Sequence, residues 1–343
     1  MVRVRSTART LVAAAAFALA GLPAALAAEV NVYSARNDAL IKPLLDEFTA
    51  KTGIKANLLA GKPEQLLERL KSEGASSPAD VLITTDAGNL WAAKEAGVLQ
   101  PIKSATLDAN IPAQLRDPEG AWFGLSQRAR VIFAAKDRVK PGEITSYEDL
   151  ADPKWKGRVC IRGSDNIYNQ SLLAAMIATS GVEKAEAWAK GVTANMARKP
   201  QGGDRDQILA VAAGECDVAV ANTYYYGGML TGKKEDEKKA AEAVVLVWPN
   251  QQGRGTHVNI SGAAVTKSAK NKDDAVKLIE FLSGDEAQRI YAETNIEYPV
   301  KQGVAWSPLL DSWGRFKTDD LNVAALGKNN PEAVKIFDRV GWR

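Results

Sequence analysis

Hydrophobic and polar positions alternate along this chain in two periods, and the order of the periods sets the fold class. Glu29 to Ser34 alternates as a short strand, and Asn37 to Lys51 then carries Leu40, Ile41, Leu44, Leu45 and Phe48 at helical spacing. Ile54 to Leu59 reads as a second strand, Pro63 to Ser72 as a second amphipathic helix, Asp80 to Thr84 as a third strand and Ala87 to Ala96 as a third helix. Strands followed regularly by helices predict an α/β lobe with a largely parallel sheet. Trp122 to Ser126 and Arg130 to Ala135 are extended segments that lead into a second lobe. There Gly157 to Ile161 predicts a strand, and Asn169 to Thr179, Gly181 to Ala194 and Asp204 to Ala213 predict helices. The apolar run Asp217 to Ala221 predicts another strand, and Val244 to Trp248 and Val258 to Val265 two more. Asn271 to Ser283 and Gly284 to Thr294 have the spacing of amphipathic helices, and Lys233 to Lys239 that of a solvated charged face.

The first residues do not belong to this pattern. Arg3, Arg5 and Arg9 precede an Ala/Leu/Phe-rich stretch from Leu11 to Leu22, and Ala25-Leu26-Ala27 is a small-residue cleavage site. Residues 1–27 therefore read as a secretory signal, with a mature protein that begins near Ala28 outside the cytoplasm. The full chain has 44 Lys and Arg against 41 Asp and Glu; without the three signal arginines the counts are 41 and 41. A balanced chain lacks the basic excess of a nucleic-acid binder.

Two cysteines, Cys160 and Cys216, border apolar strand-like runs. In an oxidising compartment an even pair reads as a disulfide, with free thiols as the alternative. Such a bridge would close a loop of roughly 55 residues and contribute about 4 kcal/mol in the loop-entropy model. His257 is the only histidine, so a zinc or copper site built on several His or Cys ligands is excluded. A structural role at the start of a strand is expected for it. No G-x-S-x-G elbow or nucleophile–base pair is present, and Asp273-Asp274 and Asp319-Asp320 read as helix starts or solvated loops. The chain is not expected to be an enzyme.

Candidate chemistry lies where a strand runs out. Asp217 to Ala221 leads through Asn222-Thr223 into Tyr224-Tyr225-Tyr226 and Gly227-Gly228. Strand C-termini are where α/β proteins hold ligands, and adjacent phenols offer hard oxygen donors to a highly charged cation. An aromatic loop packed against a neighbouring lobe is the other reading.

Several segments together resemble the ferric-binding (transferrin-like) family, the periplasmic binding proteins of iron(III) ABC importers. They are Val32-Tyr33-Ser34-Ala35-Arg36, Gly61-Lys62, Pro78-Ala79-Asp80-Val81 and Ser126-Gln127-Arg128-Ala129-Arg130-Val131. Asn166-Ile167-Tyr168-Asn169-Gln170-Ser171 and Asn222-Thr223-Tyr224-Tyr225-Tyr226 are the most specific. Asp149 to Arg158 is shared more widely among binding proteins of this fold.

The resemblance implies a two-lobed type II periplasmic binding protein fold, each lobe a mostly parallel sheet flanked by helices. Two hinge crossings are expected near Ser126–Arg130 and Gly253–Val258. Residues 28–127 and 254–304 would form the N-terminal lobe, and residues 128–253 and 305–343 the C-terminal lobe. It also implies a function: capture of Fe(III) in the interlobe cleft and delivery, by a monomer, to an ABC permease in the membrane.

Family metal ligands map onto Tyr224 and Tyr225, with Tyr168 joining them in a subset of members. Tyr226 is expected to point away, because side chains on an extended segment alternate. Arg128 corresponds to an arginine near the metal, and Arg36, Asn37 and Asn222 to positions that would balance charge or hold a synergistic anion such as carbonate. The chain departs from the family on the first lobe, where Asn37 and Asp38 replace a His-Tyr pair or lone His. Asp38 is then either a carboxylate ligand or the cap of its helix. A phenol has an unperturbed pKa of about 10, so phenolate ligation releases protons and weakens as pH falls. The same fold holding an organophosphate, thiamine or a polyamine is the alternative.

Overall fold

Strand pairing, more than any single element, positions the site. The computed structural model describes residues 28–343, so the signal read at 1–27 lies outside the described residues. Its strands are β1 (Glu29–Ser34), β2 (Lys55–Ala60), β3 (Val81–Thr85), β4 (Phe123–Ala135), β5 (Val159–Cys160), β6 (Val218–Asn222), β7 (Val244–Val247), β8 (Val258–Val265) and β9 (Tyr298–Pro299). They join in the order β2-β1-β3-β8-β4-β6-β5, with β7 and β9 also on β4. Among the named strands of the described residues, parallel pairing joins β1 with β2, β1 with β3 and β5 with β6. Elsewhere the two-lobed α/β fold departs from the mostly parallel sheets expected. The long strands β4 and β8 run antiparallel to each other and to their neighbours.

β4 is one continuous strand where the sequence pattern suggested two extended segments. Its first half pairs with β8, up to Ala129 with Val258, and its second half pairs with β6 from Arg130 with Asn222 onward. Ser126, Arg128 and Arg130 sit at alternate positions along this strand and share a face. All three are buried.

Two large cores form on either side of that change of partner. One combines Val30, Val32, Ile41, Leu44, Phe48 and Leu90 with Ile260 and Leu278. The other side holds Ile132, Trp155, Leu172, Val218 and Trp188, with a further cluster around Phe133, Ile208 and Met229. The helix Ala324–Val340, absent from the periodicity reading, contributes Leu326 to the first core and Ile336 and Phe337 to the second. Gly327, Asn329, Asn330 and Pro331 interrupt its apolar pattern, which is why the sequence conceals it. At Gly327 any side chain would collide with Trp91, whose Cβ lies 2.1 Å from the position a Cβ would take. Cys160 and Cys216 form a disulfide with Cα atoms 5.9 Å apart, tying β5 to the turn before β6. Among the described residues, no helix is long and apolar enough to cross a membrane.

Candidate metal centre

β6 ends at Asn222, and the next nine residues, Thr223–Thr231, are an α-helix. This corrects the reading of the tyrosines as an extended segment. Thr-Tyr-Tyr-Tyr-Gly-Gly is a poor helix former, so local propensity hides the element and packing must hold it. Gly227 permits that packing: a Cβ there would lie 2.6 Å from Ile296 Cγ2 and 3.0 Å from Trp313. On a helix, successive side chains turn by about 100°, so Tyr224 and Tyr226 diverge by about 200°. Tyr226 goes into the core, its ring 4.9 Å from Phe133 and 5.5 Å from Trp313. It points away as expected, but for a helical reason.

Tyr224 and Tyr225 face the other way, ring centroids 4.2 Å apart. Tyr168 meets them from the helix Ile167–Ser180, whose N-cap Asn166 accepts a hydrogen bond from the Tyr168 amide at 3.1 Å. The Tyr168 and Tyr224 hydroxyls are 3.1 Å apart. All three phenols thus lie in the first turns of two helices, where the positive dipole end favours negative charge.

Without a cation Tyr224 and Tyr225 hold their protons. Burial, with the neighbouring Tyr168 and Tyr225 oxygens, pushes Tyr224 well above the ordinary phenol range, and Arg128 pulls it back only in part. Burial, then Tyr168 and Asp204, push Tyr225 up to about 12. A multivalent cation would reverse that balance.

Four guanidinium groups surround the cluster. Arg128, Arg130 and Arg162 stand 5.6, 5.9 and 5.6 Å from the Tyr168 ring centroid. Arg130 donates to Asp204 and Asn222 at 3.1 Å and to Asn169 at 2.6 Å. Arg128 donates to Ser261 at 3.3 Å. Arg36 donates to Ser261 and pairs with Glu297 at 2.8 Å, and Ser126 donates to the same carboxylate. Among the described residues, Arg36 Nη2, Arg128 Nη2 and Asn222 Nδ2 are buried without a hydrogen-bond partner. Asn222 also donates its backbone N–H to Asp204 at 2.7 Å.

The first-lobe candidates fall elsewhere. Asn37, not Asp38, is the N-cap of the helix Asp38–Thr52, its side chain accepting from the Ala39 amide at 2.9 Å. Asp38 is the first helical residue, exposed, and makes no hydrogen bond or ion pair among the described residues. Asp86 carries a left-handed backbone (φ 75°) and caps the helix Ala87–Glu95. Its carboxylate is occupied by the Gly88 amide, Ser171 and Asn259.

His257 is buried beside Arg128, Arg130, Tyr168, Asn222 and Asn259. Its Nδ1 lies 3.7 Å from Asp319 and takes no hydrogen bond among the described residues, so it is structural without being fully satisfied. Asp319 is buried rather than solvated. Asp273 and Asp274 stand in the first turn of the helix Lys272–Ser283, as expected. Arg162, Asp204 and Glu297 escaped the sequence reading. Each is an ordinary polar residue in its own segment, and only the fold brings it to the phenols.

A family model described as bacterial extracellular solute-binding protein matches residues 76–320. The chain is 51% identical over 315 residues to iron uptake protein A1 of Synechocystis, covering 92% of this chain and 88% of that one. It is 30% identical over 314 residues to an Fe(3+)-binding periplasmic protein of Serratia marcescens, covering 91% and 90%. The fold superposes with a TM-score of 0.90 on a Trichodesmium protein solved in complex with iron and citrate ligands. That protein is 53% identical, with 92% of this chain and 100% of the other covered.

Proposed function

The chain belongs to the bacterial extracellular solute-binding protein family, and from that premise we propose that it captures ferric iron between its lobes and delivers it for ABC-type import. It is a periplasmic transport protein and not an enzyme. The observation that carries the site assignment is the convergence of three phenols at two helix N-termini, with the Tyr168 and Tyr224 oxygens 3.1 Å apart. Tyr168, Tyr224 and Tyr225 are the proposed ligands. Fe(III) is small and strongly polarising, and its charge offsets the cost of ionising the buried Tyr224 and Tyr225 phenols.

Charge indicates what else enters. Three phenolates neutralise Fe(III), while among the described residues Arg36, Arg128, Arg130 and Arg162 have only Glu297 and Asp204 as ion-pair partners. The surplus is positive, and the unpartnered Nη2 atoms of Arg36 and Arg128 are suited to an anion such as carbonate. This favours an exogenous anion over Asp38 in the remaining coordination positions. The lobes, taken as 28–127 with 254–304 and 128–253 with 305–343, would close by hinge motion at β4 and at the entry to β8. The separation of the apolar cores supports that division, with the helix Ala324–Val340 drawing on both. A monomer would dock on the permease through the rims of both lobes.

Purified protein given ferric citrate is expected to develop a phenolate-to-iron charge-transfer band, lost in the double variant Tyr224→Phe/Tyr225→Phe. A colourless wild type without bound iron would overturn the assignment.

A further inference from the structure

We propose that Arg162 is a positioning residue of the phenolate cluster, holding positive charge against Tyr168 in the metal-loaded state. The proposal rests on the ferric reading above.

Arg162 follows β5, and its backbone is fixed from several directions. Its carbonyl accepts from Asn169 Nδ2 at 2.8 Å and from Trp342 Nε1 at 2.9 Å. The disulfide at Cys160 anchors the strand two residues earlier. Its side chain is far less committed. Nη1 reaches Asp204 Oδ1 at 3.3 Å, while Nε is buried with no hydrogen-bond partner among the described residues.

Asp204 is shared: its Oδ2 already receives Arg130 at 3.1 Å and the Asn222 amide at 2.7 Å. Two guanidinium groups on one carboxylate leave one positive charge uncompensated. Arg130 makes three side-chain hydrogen bonds and serves the fold. Arg162 makes one among the described residues, stands 5.6 Å from the Tyr168 ring centroid, and faces the cluster with the surplus charge. In a partly buried site such a charge acts at low effective dielectric on the metal–phenolate unit.

The test compares Arg162→Met, Arg162→Gln and Arg162→Lys by titration with ferric citrate, reading affinity by citrate competition and the position of the charge-transfer band. Arg162→Met keeps length without charge, Arg162→Gln keeps a donor for Asp204 without charge, and Arg162→Lys keeps the charge. The two neutral variants are expected to bind ferric iron about tenfold more weakly or worse, as for loss of one charge at this range, with a displaced band. Arg162→Lys should restore most of both.

Should Arg162→Met not fold, the Gln and Lys pair decides. Neutral variants that match the wild type in affinity and band position would overturn the inference and leave the ferric site standing, with Arg162 a plain ion-pair partner of Asp204. Equal losses in Gln and Lys would overturn it too. A wild type without the band would overturn both readings.

Discussion

At the scale of single residues, the site depends on which side chains the helix starts present. Tyr224 and Tyr225 face the cleft and Tyr226 the core because the run is helical, and no two-residue alternation produces that division. Asn37 and Asp38 divide in the same way. The cap falls to Asn37, which leaves Asp38 exposed and unpartnered. Replacing Asp38 with alanine is therefore expected to leave ferric affinity within about threefold and stability nearly unchanged, whereas Asn37→Ala should cost about 1 kcal/mol through the lost cap. Ferric titration and denaturant unfolding of both variants check this. A large affinity loss in Asp38→Ala would restore that carboxylate to the ligand set.

At the scale of elements, the tyrosine helix is held by its surroundings. Gly227 sits where a methyl group would press on Ile296 and Trp313. Ile296 has little room to retreat, since it is a β-branched residue in the left-handed region (φ 54°), a strained conformation held by its neighbours. Glu297, the next residue, is fixed by Arg36 and Ser126. Gly227→Ala is thus expected to cost about 1–3 kcal/mol from overpacking. It should also weaken the charge-transfer band, because the helix must shift to make room. Thermal unfolding and ferric titration measure the two effects separately, and an unchanged protein would show that this wedge does not hold the helix.

At the scale of the whole molecule, burial of tyrosines gives the iron-free protein an alkaline limit. Burial raises the phenols of Tyr147, Tyr224, Tyr225, Tyr291 and Tyr298, Tyr225 to about 12. Below about pH 10 both folded and unfolded chains keep these protons, and the stability they confer is fully present. As pH rises further the unfolded phenols ionise first, so stability falls until the folded phenols ionise as well. The melting temperature of iron-free protein is expected to decline above about pH 10, and a flat profile there would contradict it.

The sequence determined the alternation of strands and helices, the presence of an even cysteine pair, the absence of nucleophile and soft-ligand chemistry, and three consecutive phenols at the end of a strand. These follow from periodicity and residue type, which are local. The tertiary structure alone decided that the tyrosine run is a helix, that Ala324–Val340 joins two cores, and that Arg162, paired with Asp204, stands beside the Tyr168 ring. In each case packing overrides local propensity, or residues from separate segments meet across long-range strand pairs, and neither effect is written into any short stretch of the chain.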